Sequence, residues 1–261
     1  MKCRLCNNDN LALFYVQGYK GNYKYYKCVE CGLVNLDLEN INILDNQQVF
    51  ADRFKTPVDY EGDKGASGAF HFVSRYVPVK GNHLDIGCGN GALLYFSKKQ
   101  GFNVKGLELS PVFADYVKKT LQIDVEVGNF LEYESLNGMF DLVSLRHVLE
   151  HLPDSVLALE KIRRLLKENG YAHFEFPNIN SLSHHLQRVR NKMPLIRKKY
   201  DPSHVSGHCN QFSKKSFYYL LRKTGFRPIR WETYSPKPFK NFFFNHVHIG
   251  TKARAIVQRI N

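Results

Sequence analysis

Between residues 83 and 177 short apolar runs alternate with amphipathic stretches, and the spacing is that of strand followed by helix. Residues 84–86, 104–109, 125–127, 140–145 and 171–176 read as strands, the last stopped by Pro177. A helix opens after the glycine-rich turn Gly87-Cys88-Gly89-Asn90-Gly91. A second covers about 112–121 and a third about 154–167, the third ending near Asn169-Gly170. Strands separated by helices predict a parallel sheet with right-handed crossovers, an α/β, doubly wound domain.

The flanks follow other patterns. Residues 1–40 pair two C-x-x-C knuckles with Tyr-rich alternation and read as a ribbon, and 41–78 as a linker with short helices around Gly62, Gly65 and Gly68. The remainder, 79–261, forms the main domain, with 181–261 completing its sheet and pocket. Leu182, Leu186 and Val189 give one apolar side to a helix also carrying Arg188, Arg190 and Lys192. Ser213 suits the N-cap of a helix running to about 223, stopped by Gly225. Residues 226–234 and 242–249 then predict two strands, a hairpin closing the sheet.

Charge changes this picture only in the last third. The 261 residues carry a net charge of +13, but residues 1–180 hold 20 Lys/Arg against 22 Asp/Glu. Residues 181–261 hold 17 Lys/Arg against two acids, a local +15 that suggests an anionic partner. No apolar run reaches the roughly 18 residues a membrane helix needs, and the N-terminus has no signal-peptide pattern. A cytoplasmic location is therefore expected. In that reducing setting Cys3, Cys6, Cys28 and Cys31 point to a closed tetrahedral Zn²⁺ site rather than disulfides.

The strand ends carry the candidate chemistry. Asp85 precedes the first glycine by two residues, where a carboxylate would repel a pyrophosphate but attract the ammonium of a bound amino acid. Gly87 and Gly89 let the backbone approach that ligand. Glu108 is placed to accept hydrogen bonds from a ribose diol, and Asn129 and Phe130 offer an amide and a ring to adenine. Amino acid, ribose and adenine in that order describe S-adenosylmethionine better than a dinucleotide.

Leu84-Asp85-Ile86-Gly87-Cys88-Gly89-Asn90-Gly91, Glu108, Asn129-Phe130 and Phe140-Asp141-Leu142-Val143 resemble the successive motifs of class I S-adenosylmethionine-dependent methyltransferases. The resemblance implies that Asp85, Gly87 and Gly89 hold the methionine portion, Glu108 the ribose, and Asn129 and Phe130 the adenine. It also implies a mostly parallel seven-stranded sheet ending in an antiparallel hairpin. The ribbon, the segment 204–213 and Gly225-Phe226 resemble a narrower group: zinc-ribbon methyltransferases acting on nucleotide sugars, glycan precursors and other small molecules.

Methyl transfer often requires a base, and two histidine pairs are candidates: His147 with His151, and His204 with His208. His147-x-x-Glu150-His151 also resembles the Glu-x-x-Glu-His of ubiquinone-pathway O-methyltransferases, which is associated with a divalent cation. With His in the first position, Mg²⁺ is not favoured. The expected substrate is a small anionic metabolite such as a nucleotide-linked sugar, methylated at oxygen or carbon. The alternative is a ribosomal RNA base, for which a four-cysteine ribbon and a basic tail also suit. A scaffold with a degenerate pocket is disfavoured by the intact Asp85, Gly87, Gly89 and Glu108.

Overall fold

A computed structural model describes residues 1–19, 22–39, 41, 58–134, 137–191, 207–235 and 247–260. Its centre is a seven-stranded sheet built from β4 (Asn82–Ile86), β5 (Asn103–Glu108), β6 (Asp124–Val127), β7 (Phe140–Arg146), β8 (Leu166–Pro177), β10 (Phe226–Tyr234) and β11 (Lys252–Arg259). The order across the sheet is β10-β11-β8-β7-β4-β5-β6, with only β11 running antiparallel to its neighbours. The order reverses at β4, which pairs in parallel with β5 on one side and β7 on the other. Ligands of such sheets bind where the order reverses, beyond the carboxyl ends of the strands.

Helices cover both faces. α1 (Lys64–Tyr76) lies in the stretch expected as a linker; Asp63 caps it by accepting from Ala66 N at 2.9 Å. It buries Phe72 and Val73 in a cluster with Leu142 and Ile256 of the sheet. α2 (Ala92–Lys99) follows the glycine turn, and α3 (Pro111–Leu121) starts with Ser110 as cap and Pro111 in its first turn. α4 (Ser155–Leu165), α5 (Leu182–Asn191) and α6 (Lys214–Thr224) complete the described helices. α6 has the expected Ser213 cap and ends on Gly225 at φ 74°.

Two expectations are corrected. The last described strand is Lys252–Arg259, which was not expected; of the expected 242–249, residues 242–246 lie outside the described residues and 247–249 are not in a strand. Lys252-Ala253-Arg254-Ala255 alternates basic with small side chains, which disguises a strand flanked on both sides by β10 and β8. The helix over 154–167 stops at Leu165, because Leu166 already enters β8 and pairs with Phe140.

The N-terminal cysteines sit on a second sheet of β1 (Leu11–Gln17), β2 (Tyr23–Cys28) and β3 (Val34–Leu36). Its fourth strand, β9 (Asn210–Gln211), comes from far along the chain and pairs with Val34 and Asn35. Leu5, Cys31 and Leu33 belong to the same apolar cluster as Phe174, Phe176, Phe212 and Phe217 of the main core. The ribbon is thus packed into the large domain, and truncating Phe217 at this junction should cost about 3–5 kcal/mol.

A candidate cofactor and acceptor site at the strand ends

The turn after β4 leaves the sheet through Gly87 at φ 67° and Gly89 at φ 53°, a backbone that side chains rarely adopt. A Cβ on Gly87 would lie 2.4 Å from Val148 Cγ2, so this turn is pressed against the loop after β7. A Cβ on Gly89 would meet nothing within 4 Å, which leaves room above it for a ligand. Tyr60 closes one side, its hydroxyl donating to Asn90 O at 2.9 Å and its ring stacked on Tyr95.

Asp85 is 3% exposed beneath this turn. Its described hydrogen bond is from the Ser144 hydroxyl, and among the described residues no cation forms an ion pair with it. Burial pushes its pKa up to about 7, against the pull of Ser144 and Arg146. His83 holds Ser144 in turn, with Nε2 at 2.7 Å from its hydroxyl and Nδ1 at 3.0 Å from Ser97 Oγ. Because Ser144 donates to Asp85, His83 Nε2–H donates to Ser144, and Ser97 donates to Nδ1. This buried carboxylate is bonded to a neutral donor, and the Arg146 charge, paired with Glu175, acts on it only through space. The ammonium of S-adenosylmethionine supplies a direct counter-charge, so these residues fit that ligand.

Glu108 ends β5 on the same rim, its Oε2 accepting from Gly89 N at 2.8 Å and its Oε1 from Ser110 N at 2.9 Å. The carboxylate is thereby fixed in orientation, and a ribose diol would use its remaining lone pairs. Asn129 follows β6, with its amide engaged in its own turn to Leu131 N and Glu132. Phe130 is 5% exposed within the main core, so its ring backs the site from inside.

Across from Asp85, β7 runs into His147, which takes the left-handed φ of 56°, and then a 3₁₀ turn Leu149–His151. His147 joins a buried charged group: Glu150 at 3.3 Å, Glu175 at 3.5 Å and Lys252 at 2.9 Å. Burial opposes its charge, yet the bonds to Glu150 and Glu175 raise its pKa overall. Arg146 contacts Glu175 at 3.2 Å, and Tyr234 also donates to Glu175, so Glu175 is held below the usual carboxylate range despite its burial. Sequence reading missed Arg146, Glu175, Tyr234 and Lys252. Each lies at a strand end, where a polar side chain among apolar neighbours was the available signal.

His151 faces the segment 207–213. Its Nδ1 is 2.7 Å from Gly207 O, which can only accept, so Nδ1 carries a proton and Nε2 is the nitrogen turned away from this bond. The His208 ring packs edge-on against it at 4.9 Å, and burial pulls the His208 pKa down to about 4. Glu150, His151 and His208 bring ligand atoms within 4.8 Å of one another, and Glu150 Oε2 is buried with no hydrogen-bond partner among the described residues. His204 lies outside the described residues. An open cavity of about 460 Å³ among Arg163, Arg164, Lys167 and Arg259 lies at the opposite ends of the strands and shares no residue with this site.

The four ribbon cysteines also meet within 4.8 Å, with Cys3–Cys31 and Cys6–Cys28 sulfurs each 3.5 Å apart. That is too long for a disulfide. It matches the roughly 3.8 Å edge of a tetrahedron with Zn–S bonds of about 2.3 Å, so the residues fit a structural zinc.

Comparisons with known proteins agree with this geometry. A ubiquinone biosynthesis O-methyltransferase of Ralstonia nicotianae is 28% identical over 159 residues, 52% of this chain and 64% of that protein. One from Thiobacillus denitrificans is 30% identical over 125 residues, 45% of this chain and 54% of that protein. The chain spans less than two thirds of these curated relatives. Among solved structures, a SAM-dependent methyltransferase from Archaeoglobus fulgidus superposes with a TM-score of 0.54 at 18% identity, covering 81% of this chain and 99% of that one. A geranyl diphosphate C-methyltransferase from Streptomyces coelicolor gives 0.60 at 13% identity, covering 85% and 99%. At such identities these two attest the fold alone. The family model described as a methyltransferase domain matches residues 61–230, which span the glycine turn, Asp85, Glu108, the His147–His151 loop and His208, and the chain belongs to that family.

Proposed function

We propose that the chain transfers a methyl group from S-adenosylmethionine to an oxygen or carbon of a small anionic metabolite, such as a nucleotide-linked sugar. One observation carries the reading. The glycine turn above the Asp85 carboxylate, which has no salt bridge among the described residues, is in contact, through Val148, with the loop that presents His151, against which His208 of the segment 207–213 packs.

When bound, S-adenosylmethionine supplies an electrophilic methyl carbon on a sulfonium. Asp85 would hold its ammonium and Glu108 its ribose. His151 Nε2, oriented by the Nδ1–H bond to Gly207 O, would accept the proton of an acceptor hydroxyl. His208, neutral at pH 7, would wall the acceptor side without adding charge. His147, tied to Glu150, Glu175 and Lys252, is better suited to fix the loop than to exchange protons.

Lys252, 2.9 Å from His147 and 3.7 Å from Glu175, and Lys214, 3.1 Å from His248, are the cations that would meet a phosphate-bearing substrate. Much of the tail's other charge is structural. Arg254 pairs with Glu232 at 2.9 Å, Arg230 also pairs with Glu232, and Lys223 caps Leu5 O. That favours a compact substrate over an RNA backbone, which needs many accessible cations. Incubation with labelled S-adenosylmethionine tests the choice: label should pass to nucleotide sugars or other small acceptors. Transfer confined to RNA fragments would reverse the ranking.

The buried Glu150 Oε2 supports a second reading, in which Glu150, His151 and His208 hold a first-row transition cation. Chelation that spares the ribbon zinc would then abolish transfer, whereas with His151 as base transfer survives it.

A further inference from the structure

The ribbon meets the segment that carries His208 through the β3–β9 pairing, through Leu36 N–H to Cys209 O at 2.9 Å, through Gln211 Nε2 to Tyr15 Oη at 2.6 Å, and through the side chain of Arg4. Arg4 sits between the zinc-knuckle residues Cys3 and Leu5, and its guanidinium reaches away from the sulfurs into the segment that carries His208. Its Nε donates to Asn210 Oδ1 at 3.1 Å, Nη1 to Leu36 O at 2.9 Å and Nη2 to Cys209 O. Its backbone N–H is held as well, by Asn35 Oδ1 at 3.1 Å. The clamped segment is in turn fastened to the catalytic loop. Asn210 Nδ2 donates to Leu152 O at 2.7 Å, and the Cys209 thiol lies 3.1 Å from His151 O. Gly207 O receives the His151 Nδ1 proton.

We propose that Arg4 is a positioning residue through which the zinc ribbon sets the Gly207–Gln211 segment, and with it the tautomer and orientation of His151 and the place of His208. The proposal rests on the reading that these histidines face the acceptor. Three directed donors on one planar group suit this task, since an ammonium is a point charge and cannot reproduce the fork. The acceptors named for this side chain are all neutral carbonyl oxygens. A guanidinium withdrawn from water, with Asp37 acting on it through space and no salt bridge to it among the described residues, is a poor stability device. Its value lies in geometry: displacement of a catalytic group by about 1 Å costs roughly 100-fold in rate.

The test uses the full, zinc-loaded chain with Arg4→Ala and Arg4→Lys. Zinc content and S-adenosylmethionine affinity should match wild type in both. The hydrogen-bonded Nδ1–H of His151, assigned by its absence in His151→Ala, should give a downfield, exchange-protected proton resonance in wild type and lose it in both variants. Turnover of whichever acceptor accepts label should fall about 100-fold in kcat, with the KM for cofactor unchanged and no rescue by Lys. Retention of the resonance in zinc-loaded Arg4→Ala, or its full rescue by Lys, overturns the proposal. Should Arg4→Ala lose zinc, Asn210→Ala removes the acceptor of Nε without touching the knuckle, and an unchanged resonance there overturns it equally. If His151→Ala and His208→Ala leave methyl transfer intact while Arg4→Ala still loses the resonance, the acceptor-side reading fails and the clamp stands. If both histidine variants are inactive and Arg4→Ala behaves as wild type, the clamp fails and the reading stands.

Discussion

The proposed cofactor side and the proposed acceptor side of this site are built in opposite ways. Asp85, Gly87, Gly89 and Glu108 lie within 24 positions of the chain, on two adjacent parallel strands and the turn between strand and helix. The acceptor side takes His151 from the loop after β7, His208 from a segment paired to the ribbon, and Lys252 from the last strand. The first is dictated by local backbone chemistry. The second exists only after distant parts have packed, so it should fail first when those parts are loosened.

Removing the zinc proposed for the four cysteines is the strongest way to separate the two sides. Cys28→Ser should release zinc, whose binding in such sites is worth on the order of 10 kcal/mol. Because Leu5, Cys31 and Leu33 share the main core, thermal unfolding should shift by well over 10 °C instead of melting an independent module. A small shift with the acceptor segment unchanged in hydrogen exchange would contradict the packing described.

The next effect concerns chemistry alone. His151→Ala should lower methyl transfer by about 10²–10⁴-fold while leaving cofactor affinity intact, as measured by calorimetry beside a turnover assay. Equal loss of both would mean the two sides are one unit.

Acidity should act in the reverse sense, on the cofactor side. Asp85 must be ionised to hold an ammonium, and in the free protein its pKa stands near 7. Affinity for S-adenosylmethionine should therefore be constant above about pH 7.5 and weaken by up to tenfold per unit below pH 7. Affinity that is flat from pH 5 to 8 would show that Asp85 does not carry the charge.

The smallest effect is expected from Ser144→Ala, which removes the hydroxyl between His83 and Asp85. Affinity should drop by about 1 kcal/mol, roughly fivefold, with the decline in acid moved to higher pH.

How much of this was legible in sequence follows the same division. The parallel strands, the glycine turn, Asp85 and Glu108 were readable, because strand period and the φ of a glycine are local properties. The four cysteines were readable as a cluster from spacing alone. The partner of β3 was not, since Asn210 and Gln211 form a two-residue strand with no periodic signal. Nor was the group of Arg146, Glu175 and Tyr234, whose charges sit on strands that otherwise look like core. Lys252–Arg259 was passed over because its alternating Lys, Ala, Arg and Ala resemble a solvated tail, although β11 is flanked by β8 and β10.

The central claim is that the buried carboxylate at the end of β4 holds the methyl donor, and calorimetric titration of S-adenosylmethionine at pH 8 tests it most directly. Wild type should bind one molecule per chain, and Asp85→Asn, with the same secondary structure and zinc content, should bind about 5- to 150-fold more weakly, the loss of one charged hydrogen bond. Equal affinity in the two proteins, or no binding by wild type, would contradict the account.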